Sequence, residues 1–195
     1  MFNMALFFVV ARVIGASELG RYSFAISYAS LFSVAVHLGL NDLIVRQVAV
    51  HKEQSRKYFT GAVLVKIAAG IIVTAVTTLA IGVSGKPTAV QELVLAAALS
   101  TSLVAGVETV VVAFFYAYER MSYILVQGIM RATLNAVAGI GAALLGWGAR
   151  GILWGFLAVE FVCAVYALVF VKTRLSVWFG PVSYTHLTLP TIYSV

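Results

Sequence analysis

The chain is a series of apolar runs separated by short polar connections. Five runs reach about 20 residues or more, the length that a helix needs to cross a bilayer. They cover Tyr22 to Ile44, Phe59 to Val83, Leu93 to Tyr118, Tyr123 to Leu145 and Ile152 to Val171. Because the backbone in lipid must satisfy its own hydrogen bonds, each run is predicted to be a helix.

A shorter run, Met1 to Ile14, precedes the five long ones. It would rise only about 21 Å as a helix, so we expect the start of this helix to be missing. The connections are rich in glycine and charged residues and are predicted to be loops at the membrane surface, at positions 15–20, 46–57, 82–91, 119–122 and 146–151. The predicted fold class is all-α, a polytopic membrane bundle of about six transmembrane helices.

Composition excludes a soluble domain. The chain is 62% hydrophobic and 10% charged, whereas soluble domains are about half apolar and a quarter charged. The net charge of +6 is scattered between the apolar runs, which argues against nucleic acid as a partner. The single cysteine, Cys163, lies in an apolar run, so no intramolecular disulfide can form.

The basic residues outside the runs predict the orientation. Those on one side are Arg46, Lys52, Arg56, Lys57, Arg120, Lys172 and Arg174, and those on the other are Arg12, Arg21, Lys86 and Arg150. Cytoplasmic loops carry the excess of Lys and Arg. The first side and the N-terminus are therefore predicted to be cytoplasmic.

The last residues, Val182 to Val195, break abruptly from the apolar pattern. They read VSYTHLTLPTIYSV, which resembles a translated sequencing-library adapter. We therefore expect residues 1–181 to form a transmembrane lobe and residues 182–195 to be a non-native tail, so that the chain is a fragment.

No catalytic constellation is visible. The three histidines have no metal-ligand spacing, and no glycine-rich phosphate loop is present. The sequence therefore predicts no enzyme activity, no metal and no cofactor.

Ionisable residues inside the apolar runs are the candidates for function, because a charge inside the bilayer is costly and usually faces a partner or a cavity. Lys66, Glu108 and Arg131 lie at a similar depth, roughly 12 to 15 Å from the cytoplasmic ends, so they could meet. Asp42 lies nearer the surface, and Glu160 lies in the last run. We take Arg131, Lys66, Glu108 and Asp42 as candidates for a substrate cavity. The alternative is a structural bridge from Glu108 to Lys66 or Arg131, with Asp42 as an interfacial cap.

The segment Ala11 to Ala25, ARVIGASELGRYSFA, resembles the connection between the first two helices of polysaccharide-biosynthesis flippases. These are the O-antigen and exopolysaccharide members of the multidrug/oligosaccharidyl-lipid/polysaccharide exporter superfamily. The element Leu38 to Asp42, LGLND, followed by Arg46, also matches that family. Beyond Phe59 only helix count, loop lengths and charge placement agree.

The resemblance implies one lobe of a two-lobed transporter with twelve or more helices, whose C-terminal lobe is missing here. Such proteins move an undecaprenyl-pyrophosphate-linked oligosaccharide across the inner membrane by alternating access, driven by ion gradients. Under this reading Arg131 and Lys66 would suit an anionic pyrophosphate or acidic sugar, and Glu108 would suit ion coupling. The implied partners are this lipid-linked substrate, membrane lipid and the second lobe.

Three alternatives remain open from the sequence. A cation-coupled multidrug exporter of the same superfamily would have an acidic inner cavity. A lipid II flippase would have much the same sequence features. A non-transporting scaffold subunit would need no charged groups facing a cavity.

Overall fold

The computed structural model describes residues 2–37 and 40–174, and every regular element within them is helical. The side chains of residues 12–36 and 41–173 are described. This confirms the predicted all-α fold class.

Seven α-helices follow one another, with one 3-10 turn and one π-helical segment. They are α1 (Phe2–His37), α2 (Leu40–Val50), the 3-10 turn Lys52–Gln54, α3 (Ser55–Val83), α4 (Thr88–Ala98), the π segment Leu99–Val104, α5 (Ala105–Ala117), α6 (Met121–Leu144) and α7 (Gly148–Arg174). Helix α4, the π segment and α5 form one continuous span.

Four stretches of the described chain are long and apolar enough to cross a membrane, at 52–83, 88–117, 121–144 and 148–173. The later part of α1 and α2 form a fifth span if this pair, bent by 40°, is counted as one. These are the five long runs predicted from the sequence. The expected total of about six is therefore above the four or five that length and hydropathy support.

Three local predictions need correction. Residues 15–20 are not a loop, because only Gly15 leaves helical geometry, at φ 80° and ψ 166°. Glycine reaches positive φ without the steric cost that a side chain brings. The run Tyr22 to Ile44 is divided between α1, described to His37, and α2, described from Leu40, and the two are bent by 40°. Arg46 therefore lies within α2 rather than in a loop.

The start of the first run and the tail predicted at 182–195 remain predictions. The run is helical from Phe2 and belongs to α1. The tail and the proposed boundary at residue 181 lie outside the described residues.

Two of the three apolar clusters among the described residues lie toward opposite ends of the bundle. At one end the rings of Phe59 and Phe114 pack edge to face, with centroids 5.1 Å apart, near the start of α3. At the other end Ile81, near the end of α3, packs among the small side chains of α1 and α4. Small residues let membrane helices approach closely enough for dispersion contacts to hold them together.

Two spans approach closely where α3 crosses the π segment. A Cβ atom at Gly70 would lie 2.8 Å from the Cα of Leu103 and 2.9 Å from the carbonyl oxygen of Ser102. Only a glycine fits this crossing. Beside it, the Thr74 hydroxyl donates to the carbonyl of Ala98 at 3.5 Å.

The connections lie at the two ends of the bundle, in the groups that the order of the apolar runs predicted. At one end the Tyr118 hydroxyl donates to the Ser55 hydroxyl at 3.0 Å, and the Lys52 ammonium lies 5.7 Å from the centre of the Tyr118 ring. At the other end Arg150 pairs with Glu92 at 3.1 Å. The densest basic connection thus shares an end with the α5–α6 turn.

Candidate functional site

A polar stripe runs along α6 in a helix that is otherwise largely apolar. Gln127, Arg131 and Asn135 are spaced by four residues, which places them on one face. Gln127 is only 3% exposed. This stripe faces acidic residues on the two neighbouring helices, α5 and α7.

The first acidic partner is Glu108 of α5, which is 3% exposed. Its Oε1 atom accepts a hydrogen bond from the Gln127 side-chain amide and forms an ion pair with Nη2 of Arg131. A buried carboxylate needs such partners, because burying an unpaired charge is costly.

The second acidic partner is Glu160 of α7, whose side chain is 13% exposed. Its Oε2 atom lies 3.5 Å from Nε of Arg131, which is an ion-pair distance. Neither of these buried atoms makes a hydrogen bond within the described residues. Within the described residues, this Oε2 atom is therefore held by its ion pair with Arg131. We call Glu108, Gln127, Arg131 and Glu160 together the Arg131 cluster.

The charges of the Arg131 cluster do not balance. Arginine stays protonated at any physiological pH, so the cluster holds one positive side chain against two carboxylates. The guanidinium, 34% exposed, is already paired on two sides. The role in binding an anionic substrate that the resemblance implies for Arg131 stays a prediction.

Lys66 lies away from this cluster. It is 1% exposed, and its ammonium donates to the backbone carbonyl of Val36 at 2.6 Å. Val36 is in the last turn of α1, where carbonyls lack helical partners and a positive charge is favourable. Lys66 therefore binds the end of α1. Of the two partners that the sequence left open for Glu108, Lys66 or Arg131, the structure pairs it with Arg131.

Asp42 also lies at the break between α1 and α2. It is exposed in the first turn of α2, where the helix dipole favours a negative charge. This position fits the alternative of an interfacial cap. Of the four cavity candidates, the structure brings together only Arg131 and Glu108.

Two members of the cluster were missing from the predicted site. Glu160 was visible as an acid in an apolar run, but nothing in the sequence paired it with Arg131. Gln127 carried one weak signal, a polar residue four positions before Arg131 in the same run. Within the described residues no group of three or more His, Cys, Asp or Glu side chains could hold a metal ion.

The segment ARVIGASELGRYSFA contributes a helix cap. Glu18 accepts a hydrogen bond at 3.1 Å from the backbone N–H of Ala149, at the start of α7, and pairs with Arg21 at 2.9 Å. Gly148, with φ at 58°, lies against the Glu18 carboxylate and leaves it room to approach. The carboxylate thus satisfies a free N–H at a helix N-terminus and joins α7 to α1.

These apolar spans, with ionised side chains paired in their interior, define a multi-pass membrane protein. A family model described as "Polysaccharide biosynthesis protein" matches residues 1–189, and the chain belongs to this family. The resemblance seen in the sequence is thereby confirmed. No curated protein matches the chain significantly, and no solved structure does.

Proposed function

We propose that this chain is the N-terminal lobe of a flippase that moves lipid-linked oligosaccharide across the inner membrane by alternating access. Family membership supports a role in polysaccharide synthesis. The observation that carries the transport step is the Arg131 cluster, because ionised groups inside membrane spans mark substrate or ion pathways. A second lobe of similar size would complete the cavity.

Arg131 is the group that we assign to the anionic part of the substrate. Its guanidinium has five N–H donors, more than its two carboxylate contacts use. About a third of the side chain is exposed, so a pyrophosphate oxygen can reach it from outside the lobe. Glu108, buried behind it, fixes its position.

The test uses the full-length protein in cells that lack their own flippase, with surface polysaccharide as the readout. Arg131→Ala should abolish export while the protein remains inserted and abundant. Arg46→Ala, an exposed position on α2, is the matched control and should export normally. Normal export by Arg131→Ala would disprove the assignment. Loss of the protein itself would show that Arg131 is only a structural bridge.

A cation-coupled multidrug exporter is the second candidate, favoured by the excess of one carboxylate in the Arg131 cluster. The same cells distinguish the flippase from the multidrug exporter. An exporter of organic cations would raise drug resistance without restoring polysaccharide, whereas the flippase would do the reverse. A lipid II flippase would restore growth to cells that cannot export peptidoglycan precursor. A scaffold subunit would keep its function in the Arg131→Ala variant.

A further inference from the structure

A groove that shares no residue with the Arg131 cluster lies at the end of the bundle where Arg150 pairs with Glu92. It has a volume of about 320 Å³ and lies between α1 and the connection from α3 to α4. The residues that line it are Ser17, Gly20, Arg21, Phe24, Lys86 and Val90. Two of these residues are basic and none is acidic, so the groove is a candidate site for an anion.

The two basic residues of the groove, Arg21 and Lys86, have hydrogen-bond donors to spare. Arg21 is half exposed, and one nitrogen of its guanidinium pairs with Glu18 at 2.9 Å. A guanidinium has five N–H donors, so several remain for a second partner. The Lys86 ammonium lies 5.8 Å from the centre of the Phe24 ring and forms no ion pair within the described residues. Two positive charges thus face one carboxylate.

Contacts outside the groove hold both basic residues in position. The second oxygen of Glu18 accepts a hydrogen bond from the Ala149 N–H at 3.1 Å, so the carboxylate that pairs with Arg21 is itself anchored to α7. The Lys86 carbonyl accepts a hydrogen bond from the Gln91 side chain at 2.8 Å, which ties the connection to the first turn of α4. A site that is ordered before its ligand arrives loses less freedom on binding, and therefore binds more tightly.

Exposed apolar side chains accompany the basic pair. Phe24, which lines the groove, is 39% exposed, and Val83, shortly before Lys86 in the chain, is 89% exposed. The candidate spans 52–83 and 88–117 lie on either side of Lys86 in the sequence, which places this residue near the level of lipid head groups. A lipid would contact the basic pair through its phosphate and the apolar side chains through its acyl chains. Inorganic phosphate would use the basic pair alone.

We propose that this groove binds the phosphate group of an anionic membrane lipid, with Arg21 and Lys86 as the residues that contact it. Basic pockets between membrane helices recognise anionic head groups. An arginine side chain adds a planar fork that matches two phosphate oxygens. The site goes beyond the proposed transport function and does not rest on it.

Lipid binding to the purified full-length protein in a neutral detergent tests the site, with native mass spectrometry as the readout. Phosphatidylglycerol should bind, and Arg21→Gln or Lys86→Gln should each weaken its binding about fivefold, the contribution of one basic residue beside an anionic lipid. Gly20→Phe keeps both charges and fills the groove, so it should weaken binding as well. The matched control Arg150→Gln removes a charge at the same end but outside the groove, and should bind like the unchanged protein.

Two further probes identify the ligand. Phosphatidylcholine, with the same acyl chains and no net charge, should bind several-fold more weakly, and inorganic phosphate should not compete at the concentration of the lipid. Equal binding of phosphatidylcholine, or competition by inorganic phosphate, would overturn the lipid assignment. Equal weakening in Arg150→Gln, or unchanged binding in all three groove variants, would overturn the site itself.

Thermal unfolding identifies any variant that has not folded. Gly20→Ala, whose Cβ atom meets nothing within 4 Å, is the control for Gly20→Phe and should bind the lipid normally. Loss of binding in Gly20→Ala as large as that in Gly20→Phe would show that filling the groove is not the cause.

Discussion

The ammonium group of Lys66 is almost completely buried, and it is held by the end of a helix instead of a carboxylate. Lys66→Met keeps the length of the side chain and removes one hydrogen bond, so it should lower the free energy of unfolding by only about 0.5–1.5 kcal/mol. Lys66→Glu places a negative charge against the carbonyl of Val36 and should cost several kcal/mol, roughly 3 or more.

Thermal unfolding of the purified protein in detergent measures both Lys66 variants. Equal loss in the two would mean that the contact with Val36 does not matter. Gain of stability in Lys66→Glu would contradict the placement of Lys66 at the end of α1.

The sequence identified the ionisable residues of the site and left open whether Glu108 pairs with Lys66 or with Arg131. Lys66, Glu108 and Arg131 stood out because charge is rare in apolar runs, and their similar depth was readable from residue counts. Depth leaves the rotation of each helix about its axis undetermined. A difference in that rotation separates Lys66, which faces α1, from Glu108, which faces α6.

Helix α3 offers a matched pair of glycines. Gly70→Ala would force a Cβ to within 2.8 Å of the backbone of the π segment, and should cost about 1–3 kcal/mol of stability. Gly61→Ala meets nothing within 4 Å and should be neutral or stabilising by up to about 1 kcal/mol, since alanine is the better helix former. Chemical or thermal unfolding of the two variants, side by side, decides whether the α3 crossing is as close as described.

The cap of α7 can be tested without changing the apolar core. Glu18→Ala leaves the Ala149 N–H without its acceptor and should cost about 0.5–2 kcal/mol. Glu18→Gln keeps an acceptor oxygen and should lose less stability. Arg21→Ala removes only an exposed ion pair and should change the unfolding temperature little. An Arg21→Ala effect as large as that of Glu18→Ala would argue against the cap.

Long runs were the most predictable elements, because hydropathy and length together define a span. The points where these runs are interrupted were harder to predict. At Gly15 the helix kinks at a single residue and no loop forms. The break before Leu40 lies inside an apolar run. The π segment Leu99–Val104 has no signature in the pattern, because all of its residues are apolar or small.

The arrangement of the whole chain across the bilayer is open to direct labelling. Cys163 is fully buried, so it gives little background. A cysteine at Gln54, exposed beside the basic connection, should react only with a reagent that enters the cytoplasm. A cysteine at Ser84, exposed at the other end of α3, should react from outside intact cells. The reverse result would invert the predicted topology.

The Arg131 cluster also constrains how the chain is made. The ribosome releases Glu108 with α5 first, then Arg131 with α6, and Glu160 with α7 last. A lone charge at the centre of a helix costs about 2.5–3.5 kcal/mol during insertion by the translocon. We therefore expect α6 to stay beside α5, where Arg131 can pair with Glu108, until α7 has been made and inserted. A stalled chain that ends at Leu144 should retain α6 in the membrane less securely than one that continues to Arg174, and alkaline extraction of the two nascent chains would show the difference.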